Sequence, residues 1–348
     1  MVSPGRILVI QLRRIGDCLL TTPLVRALRE CFPQAKIDFL VEQSSHRVVE
    51  RNPHISEILL YDSRDAFAWI RTVRARHYDW VLDGLSNPRS ALLTLASGAK
   101  VRAGFSVPFW KIAYNIPIQR SPIPEYASQS KLRLLEAINH RFGSSFQPRN
   151  LLPEFHVSPE ERNFAKTWRR TEGVEGVPFV ILAPAHRRPV RRWGASGFAQ
   201  LSRLLREKRG VRVFAIWGPG EEDQIGEIMR LAGGSVSPLP PTTLGQMAAI
   251  LEGCALMIAN DNGPKHMGVA VGTRTLTLYG PTRPAEWNPP QDSRHRVFRV
   301  RGLGCLGCNL NRCPYSHECM EWMDPEEVFE AARGMLSGPV TASASGTF

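Results

Sequence analysis

No stretch of this 348-residue chain approaches the roughly 18 uninterrupted apolar residues that a membrane-spanning helix requires. Neither half carries G-x-G-x-x-G after its first strand-like segment, which argues against a nicotinamide dehydrogenase, and G-x-x-x-x-G-K-[ST] is absent, which removes a P-loop. Lysine is scarce: seven of the 44 basic residues, so the net charge of +12 is an arginine charge. Those arginines are scattered, with no basic run interleaved with aromatics, and nucleic acid is not the expected partner. An anionic lipid headgroup or a nucleotide diphosphate accounts for the charge equally well. The opening MVSPGRILVIQL shows no signal-peptide pattern, and the cytoplasm is the expected compartment.

What the chain does have is alternation. Apolar content of 43% with 22% charged residues is that of a globular protein, and the length allows two cores. Strand-like runs are expected at 6–12, 37–41, 58–61 and 80–82, with helical segments between them, the first at 18–31, and an amphipathic helix at 126–142 closing the half. The stretch 107–124 is Pro-rich and loop-like, and Pro148, Pro153 and Pro159 punctuate a boundary. Strands follow at 179–183, 211–217, 256–259 and 275–279, with helices at 196–208, 221–231, 244–252 and 325–336. Strand–helix alternation of this kind predicts parallel sheets covered on both faces. The expected domains are 1–150 and 151–336, with a small, polar, disordered tail at 337–348.

Four polar loops at strand ends carry the chemistry. RRIGDC places Asp17 at a helix start after Gly16, where it reads as an N-cap or as a carboxylate able to act as general base. HRRPVRRW, 186–193, is an arginine-dense loop suited to a diphosphate, with Trp193 as a hydrophobic anchor and Arg191 among the forks. WGPGEE offers Glu221 or Glu222 to ribose hydroxyls, or to the first turn of a helix. NDNGPKH, after an apolar strand, is a polar elbow at a helix start (Asp261, Asn262, Gly263, Pro264, His266), the geometry that offers N–H groups to an anion, though an ordinary capped turn reads alike.

Cys305, Cys308, Cys313 and Cys319 fall within fifteen residues as C-x2-C-x4-C-x5-C. In a reducing compartment this spacing favours a metal, most simply a closed structural zinc site; an iron–sulfur cluster, disulfides and plain thiols remain open.

Taken together, the segments RILVIQLRRIGDCLLTTPLVRALRECFP, RRWGASGFAQL, WGPGEE and NDNGPKHMGVAVGTRTLTLYGPTRPAEWNP resemble glycosyltransferase family 9, the ADP-heptose:lipopolysaccharide heptosyltransferase family. The cysteine stretch is similar to a segment found in a subset of that family. The resemblance implies a GT-B fold, two Rossmann-like parallel-sheet domains facing a central cleft, with acceptor on the first and nucleotide-sugar donor on the second. It implies inverting transfer of a heptose from ADP-heptose to a lipopolysaccharide inner-core acceptor, with no cofactor required for catalysis, at the cytoplasmic face of the inner membrane. A related transferase using another nucleotide sugar, or a different glycan or protein acceptor, carries the same motifs. By position Asp17 matches the family's base, Arg191 a donor-phosphate contact usually made by lysine, and Asp261 a sugar-hydroxyl contact. Asn262, Gly263, Pro264 and His266 match the phosphate-cradling elbow, with Asn262 standing where Ser or Thr is usual. Lys265 departs from a position commonly apolar, which raises expected phosphate affinity or alters sugar choice.

Overall fold

A computed structural model describes residues 3–142 and 150–336; the expected tail 337–348 lies outside the described residues. The described residues form two compact α/β units, one running to His156 and the other beginning at Val157.

The first unit contains β1 (Arg6–Ile10), β2 (Lys36–Glu42), β3 (Glu57–Tyr61), β4 (Trp80–Asp83), β5 (Val101–Phe105) and β6 (Ile116–Ile118). They form one parallel sheet in the order β3-β2-β1-β4-β5-β6. The second unit contains β7 (Phe179–Ala183), β8 (Arg212–Ala215), β9 (Ser237–Pro238), β10 (Leu256–Asn260), β11 (Thr275–Leu278) and β12 (His295–Phe298). These are again all parallel, in the order β12-β11-β10-β7-β8-β9. Both sheets are the doubly wound α/β type expected. Their central strands carry continuous apolar runs because helices bury both faces; Ile7 to Ile10 and all of Leu256–Asn260 are buried.

In each unit the chain leaves a central strand, winds outward, then returns to the central strand's other side. The order therefore reverses between β1 and β4, and between β7 and β10. Loops diverge at such points and open a crevice at the strands' carboxyl ends, where open α/β sheets bind ligands.

Departures from the expected elements have local causes. β6, β9 and β12 are edge strands, and Pro117 and Pro238 fit there because an edge N–H need not join the ladder. The stretch 107–124 is accordingly not all loop: it holds β6 and a 3-10 helix, Pro108–Ala113. The helix expected at 18–31 is two helices, Ile15–Leu19 and Thr22–Cys31, with Pro23 in the first turn of the second, where its missing N–H costs nothing. An unanticipated helix, Pro159–Thr171, opens the second unit on a Ser158/Glu161 capping box. It buries Trp168 against Phe179 and Phe214, at ring separations of 5.6 and 4.9 Å.

Residues 150–156 complete the first unit. Glu154 accepts hydrogen bonds from Arg26 Nη1 at 2.5 Å and Asn52 Nδ2 at 2.9 Å, and its backbone N–H donates to Thr22 Oγ1 at 3.0 Å. Burial alone would raise the Glu154 pKa; His156, Arg26 and His54 outweigh it and hold the carboxyl down at about 2.

Candidate functional site

In the first unit the reversal point presents Asp17. β1 ends at Ile10, the chain turns at Arg14, and Asp17 lies in the helix Ile15–Leu19. The sharp turn belongs to Arg14, at φ 73°, and not to Gly16, which sits inside that helix. A non-glycine residue in the left-handed region costs on the order of 1 kcal/mol, and such strain gathers at functional sites. The Asp17 carboxylate is half-buried and makes no hydrogen bond among the described residues; its main-chain carbonyl accepts from Thr21 Oγ1 at 2.8 Å. Burial raises its pKa, and the positive charges of Lys131 and Arg14 pull it back.

Lys131 was invisible as a site residue in the sequence, being one lysine on an amphipathic helix. Its Nζ donates to Gln11 Oε1 at 3.1 Å and to the carbonyl of Gly84, so it joins the segments that follow β1 and β4 across the reversal point. Burial lowers its pKa, with the Asp17 charge acting in the opposite direction. The outcome is a carboxylate whose pKa burial raises against the opposing charge of Lys131, which leaves it a stronger base than an ordinary carboxylate.

In the second unit the polar elbow follows β10 directly. Asn262 caps the helix Gly263–Ala270: its Oδ1 accepts from the Lys265 N–H at 3.0 Å, and its Nδ2 donates to the carbonyls of Ala183 and Ala185 at 3.0 and 2.7 Å. Both ends of this side chain therefore tie the elbow to the end of β7. The amide serves as a cap and a tether, with both of its ends used within the protein. Pro264 occupies the first turn, where no donor is lost.

Lys265 also differs from expectation. It is fully buried, its Nζ 3.5 Å from Asp261 Oδ1 and 2.6 Å from the Trp287 carbonyl, so it faces inward and offers no phosphate contact. Burial drives its pKa down to about 8 despite the Asp261 charge. The same burial, with Lys265 beside it, drives the His266 pKa well below the usual value; His266 is a neutral imidazole whose ring packs 6.0 Å from that of Trp287.

Across the reversal point, the arginine loop follows β7. A 3-10 turn, Pro189–Arg191, presents Arg191, whose Nη2 donates to Asn309 Oδ1 at 2.5 Å. Burial, then Arg188, lowers the Arg191 pKa, and Asp261 opposes that shift. Two buried polar atoms here lack hydrogen-bond partners among the described residues: Arg191 Nε and Asp261 Oδ1. His186 shares this environment, with its pKa pushed down to about 4 by burial and by Arg191. Trp193 is the anchor anticipated, buried against Phe198 at 4.9 Å, and its backbone N–H donates to Asn260 Oδ1.

Glu221 accepts from the Gly218 N–H at 2.9 Å, just before the helix Glu222–Ala232, so one of its oxygens closes the Gly-Pro-Gly turn after β8. Gly220, at φ 83°, supplies the left-handed step in that turn.

The four cysteines Cys305, Cys308, Cys313 and Cys319 do line one small cavity, bounded also by Val190 and Pro281. They are free thiols, and among the described residues no group of three His, Cys, Asp or Glu side chains is placed to hold a metal ion. The structural zinc site expected from the spacing is therefore not supported, although the four thiols are gathered on one loop. Cys308 faces outward while Cys319 packs on Gly280, where an added Cβ would lie 2.9 Å from its Sγ. The loop has another evident role. The Asn309 N–H donates to the Pro281 carbonyl at 2.6 Å, and its side chain holds Arg191.

Residues 66–317 match the model of glycosyltransferase family 9 (heptosyltransferase). Lipopolysaccharide heptosyltransferase 3 of Escherichia coli K12 is 26% identical over 305 residues, covering 80% of this chain and 83% of that relative. A family 9 glycosyl transferase from Veillonella parvula superposes with a TM-score of 0.82 at 22% identity, over 95% of this chain and 97% of that one. An E. coli heptosyltransferase with ADP-2-deoxy-2-fluoro heptose superposes at 0.69 with 19% identity, over 94% and 99%. No helix among the described residues is long and apolar enough to cross a membrane.

Proposed function

The chain belongs to glycosyltransferase family 9, heptosyltransferase enzymes, and from that premise we propose that it transfers heptose from ADP-heptose to a hydroxyl of a lipid-borne lipopolysaccharide inner-core acceptor, with inversion. The observation carrying this reading is that Arg191 Nε and Asp261 Oδ1, on the loops that follow the adjacent strands β7 and β10, are buried without a hydrogen bond among the described residues, with Lys265 Nζ 3.5 Å from the carboxylate. An arginine donor and a carboxylate held by one buried lysine at 3.5 Å, each with hydrogen-bonding capacity left, suit a ligand bearing a phosphate and sugar hydroxyls.

In the reaction the acceptor oxygen forms a bond to the anomeric carbon while the bond from that carbon to the diphosphate oxygen breaks. The electron pair leaves with ADP, and the acceptor proton passes to Asp17. An alcohol is a poor nucleophile until that proton begins to move, and a carboxylate with an elevated pKa is a stronger base than an ordinary one. The departing diphosphate gains charge beside Arg191 and the N–H groups opening the helix Gly263–Ala270, where a fixed dipole favours an anion. Asp261 accepts from sugar hydroxyls, while neutral His266 and the Asn262 cap fix the elbow. Glu221, with one oxygen left, accepts from the ribose. Assigned in this way, the residues carry the transfer without a metal-dependent step. The acceptor's lipid anchor brings the enzyme to the cytoplasmic face of the inner membrane.

The test is release of ADP, and formation of a heptosylated product, from ADP-heptose and a Kdo–lipid A acceptor. Thermal-shift screening of ADP-, UDP- and GDP-sugars tests the donor, because a ligand that binds only the folded state stabilises it. Stabilisation by a UDP- or GDP-sugar and not by ADP-heptose overturns the donor assignment.

A further inference from the structure

The Pro-rich stretch after β5, unused by the chemistry above, carries an unusual surface. The 3-10 helix Pro108–Ala113 repeats every three residues, so Phe109 and Ile112 share one side and Trp110 and Ala113 another. Trp110 and Ala113 face inward, packing with Ala91 and Tyr114. The opposite side is just as apolar and has no cover: Phe109 is 88% exposed and Ile112 78%. Ile123, in the loop after β6, is 71% exposed. Phe109 lies four residues past β5 and Ile123 five past β6, both at the carboxyl end of the sheet, where Asp17 follows β1. With adjacent strands ~4.8 Å apart, β5 and β6 stand about 10 and 14 Å from β1 across the sheet.

The stretch that carries this surface is basic. Residues 66–124 contain eight lysines and arginines but only two acids, Asp79 and Asp83. Asp79 accepts from the N–H groups of Gly5 and Arg6, and Asp83 is fully buried beneath Tyr114. The next acid, Glu125, is paired with Arg133. Lys111, beside Phe109 and Ile112, and Arg120, just before Ile123, are exposed and form no ion pair among the described residues; Arg120 lies over the Phe105 ring at 4.9 Å. Separated exposed hydrophobes interleaved with unpaired cations suit an interface that offers acyl chains and anionic headgroups together. A protein partner would more readily fit a contiguous apolar face with matched charges.

We infer that Phe109, Ile112 and Ile123, flanked by Lys111 and Arg120, form a docking surface for an anionic lipid bilayer. The surface deepens the reading above by naming the contact that brings a lipid-borne acceptor to the Asp17 end of the sheet. It rests on that reading only for its biological purpose, because docking is measured without donor or acceptor.

The experiment is co-sedimentation of the full chain with vesicles of phosphatidylethanolamine and phosphatidylglycerol, and with vesicles of phosphatidylcholine alone. The expected result is binding to the anionic vesicles that weakens about tenfold in Phe109→Ser/Ile112→Ser/Ile123→Ser and in Lys111→Glu/Arg120→Glu. The substituted side chains are exposed, so both variants keep the parent's melting temperature, and both retain turnover on a detergent-dispersed acceptor. Failure of the parent to bind anionic vesicles overturns the inference, as does binding that neither variant weakens. Self-association of the parent without lipid, abolished by the serine variant while vesicles remain unbound, assigns the surface to a second copy of the chain and also overturns it. None of these outcomes touches the transferase reading, which the ADP-release assay decides.

Discussion

Lys265 Nζ and Asp261 Oδ1 lie 3.5 Å apart in the interior of the second unit, too far for a good hydrogen bond and too buried for water to soften the cost. The lysine pKa falls to about 8 even with the carboxylate beside it, so desolvation outweighs attraction. The folded state therefore disfavours the charged lysine relative to the unfolded chain. Stability rises as pH climbs through 8 toward the ordinary lysine value. Replacing both partners, Lys265→Met together with Asp261→Asn, is expected to stabilise the protein by about 1–3 kcal/mol at neutral pH, with the gain shrinking above pH 8. Denaturant titrations at neutral and alkaline pH check this; a variant less stable than its parent at pH 7 shows that the ion pair wins.

Asp17 acts as a base only when ionised, and burial raises its pKa. The transfer rate should therefore fall on the acidic side at a pH above the ordinary carboxylate range. Lys131→Met removes the leading charge that opposes the shift and should move this acidic limb further upward, with Lys131→Arg restoring it. Asp17→Asn should lose about 10²–10⁴ in kcat while donor-induced thermal stabilisation is retained. A pH–rate profile of kcat/KM for the parent and variants reads all three.

Asn309 holds Arg191 from the cysteine loop. Asn309→Ala should raise the donor KM about tenfold, the worth of one hydrogen bond to a charged group, with kcat changed far less. If instead kcat falls and KM stays, the arginine acts on the departing charge alone.

Glu154, held at a pKa of about 2, stabilises the first unit above the ordinary carboxyl pKa and loses that contribution as pH falls toward 2. Glu154→Gln should cost about 2–3 kcal/mol at neutral pH and clearly less near pH 3, because there the unfolded carboxyl is already protonated while the folded one, paired with Arg26 and His156, is still largely ionised. Melting temperatures at the two pH values are the measure.

The central strands were legible because helices bury both faces and leave uninterrupted apolar runs such as RILVI and LMIAN. Of the edges, β3 was legible as EILLY, but β6, IPI, and β9, SP, were not, because a strand with one neighbour need not supply a full ladder. The site loops were legible as strand-end polar turns, but the roles within them were not. Whether Asn262 faces a ligand or caps its helix depends on where Ala183 and Ala185 lie, 77 to 79 residues earlier. Lys131 and Asn309 gave no local signal, since each matters through a partner more than a hundred residues away. The cysteine spacing gave a local signal for a metal, but among the described residues no group of three His, Cys, Asp or Glu side chains is placed to hold one.

The all-parallel pairing of the sheets bears on the order in which the chain is made. No two neighbouring strands can be joined by a hairpin, so every pairing waits for a crossover, and β1 cannot complete its ladder until β4 has emerged some 70 residues later. The closing tie is Glu154, reaching back to Arg26, Asn52 and Thr22. The first unit is thus sealed by the last residues synthesised before the second begins, and it can mature on the ribosome while the arginine loop and the elbow are still untranslated.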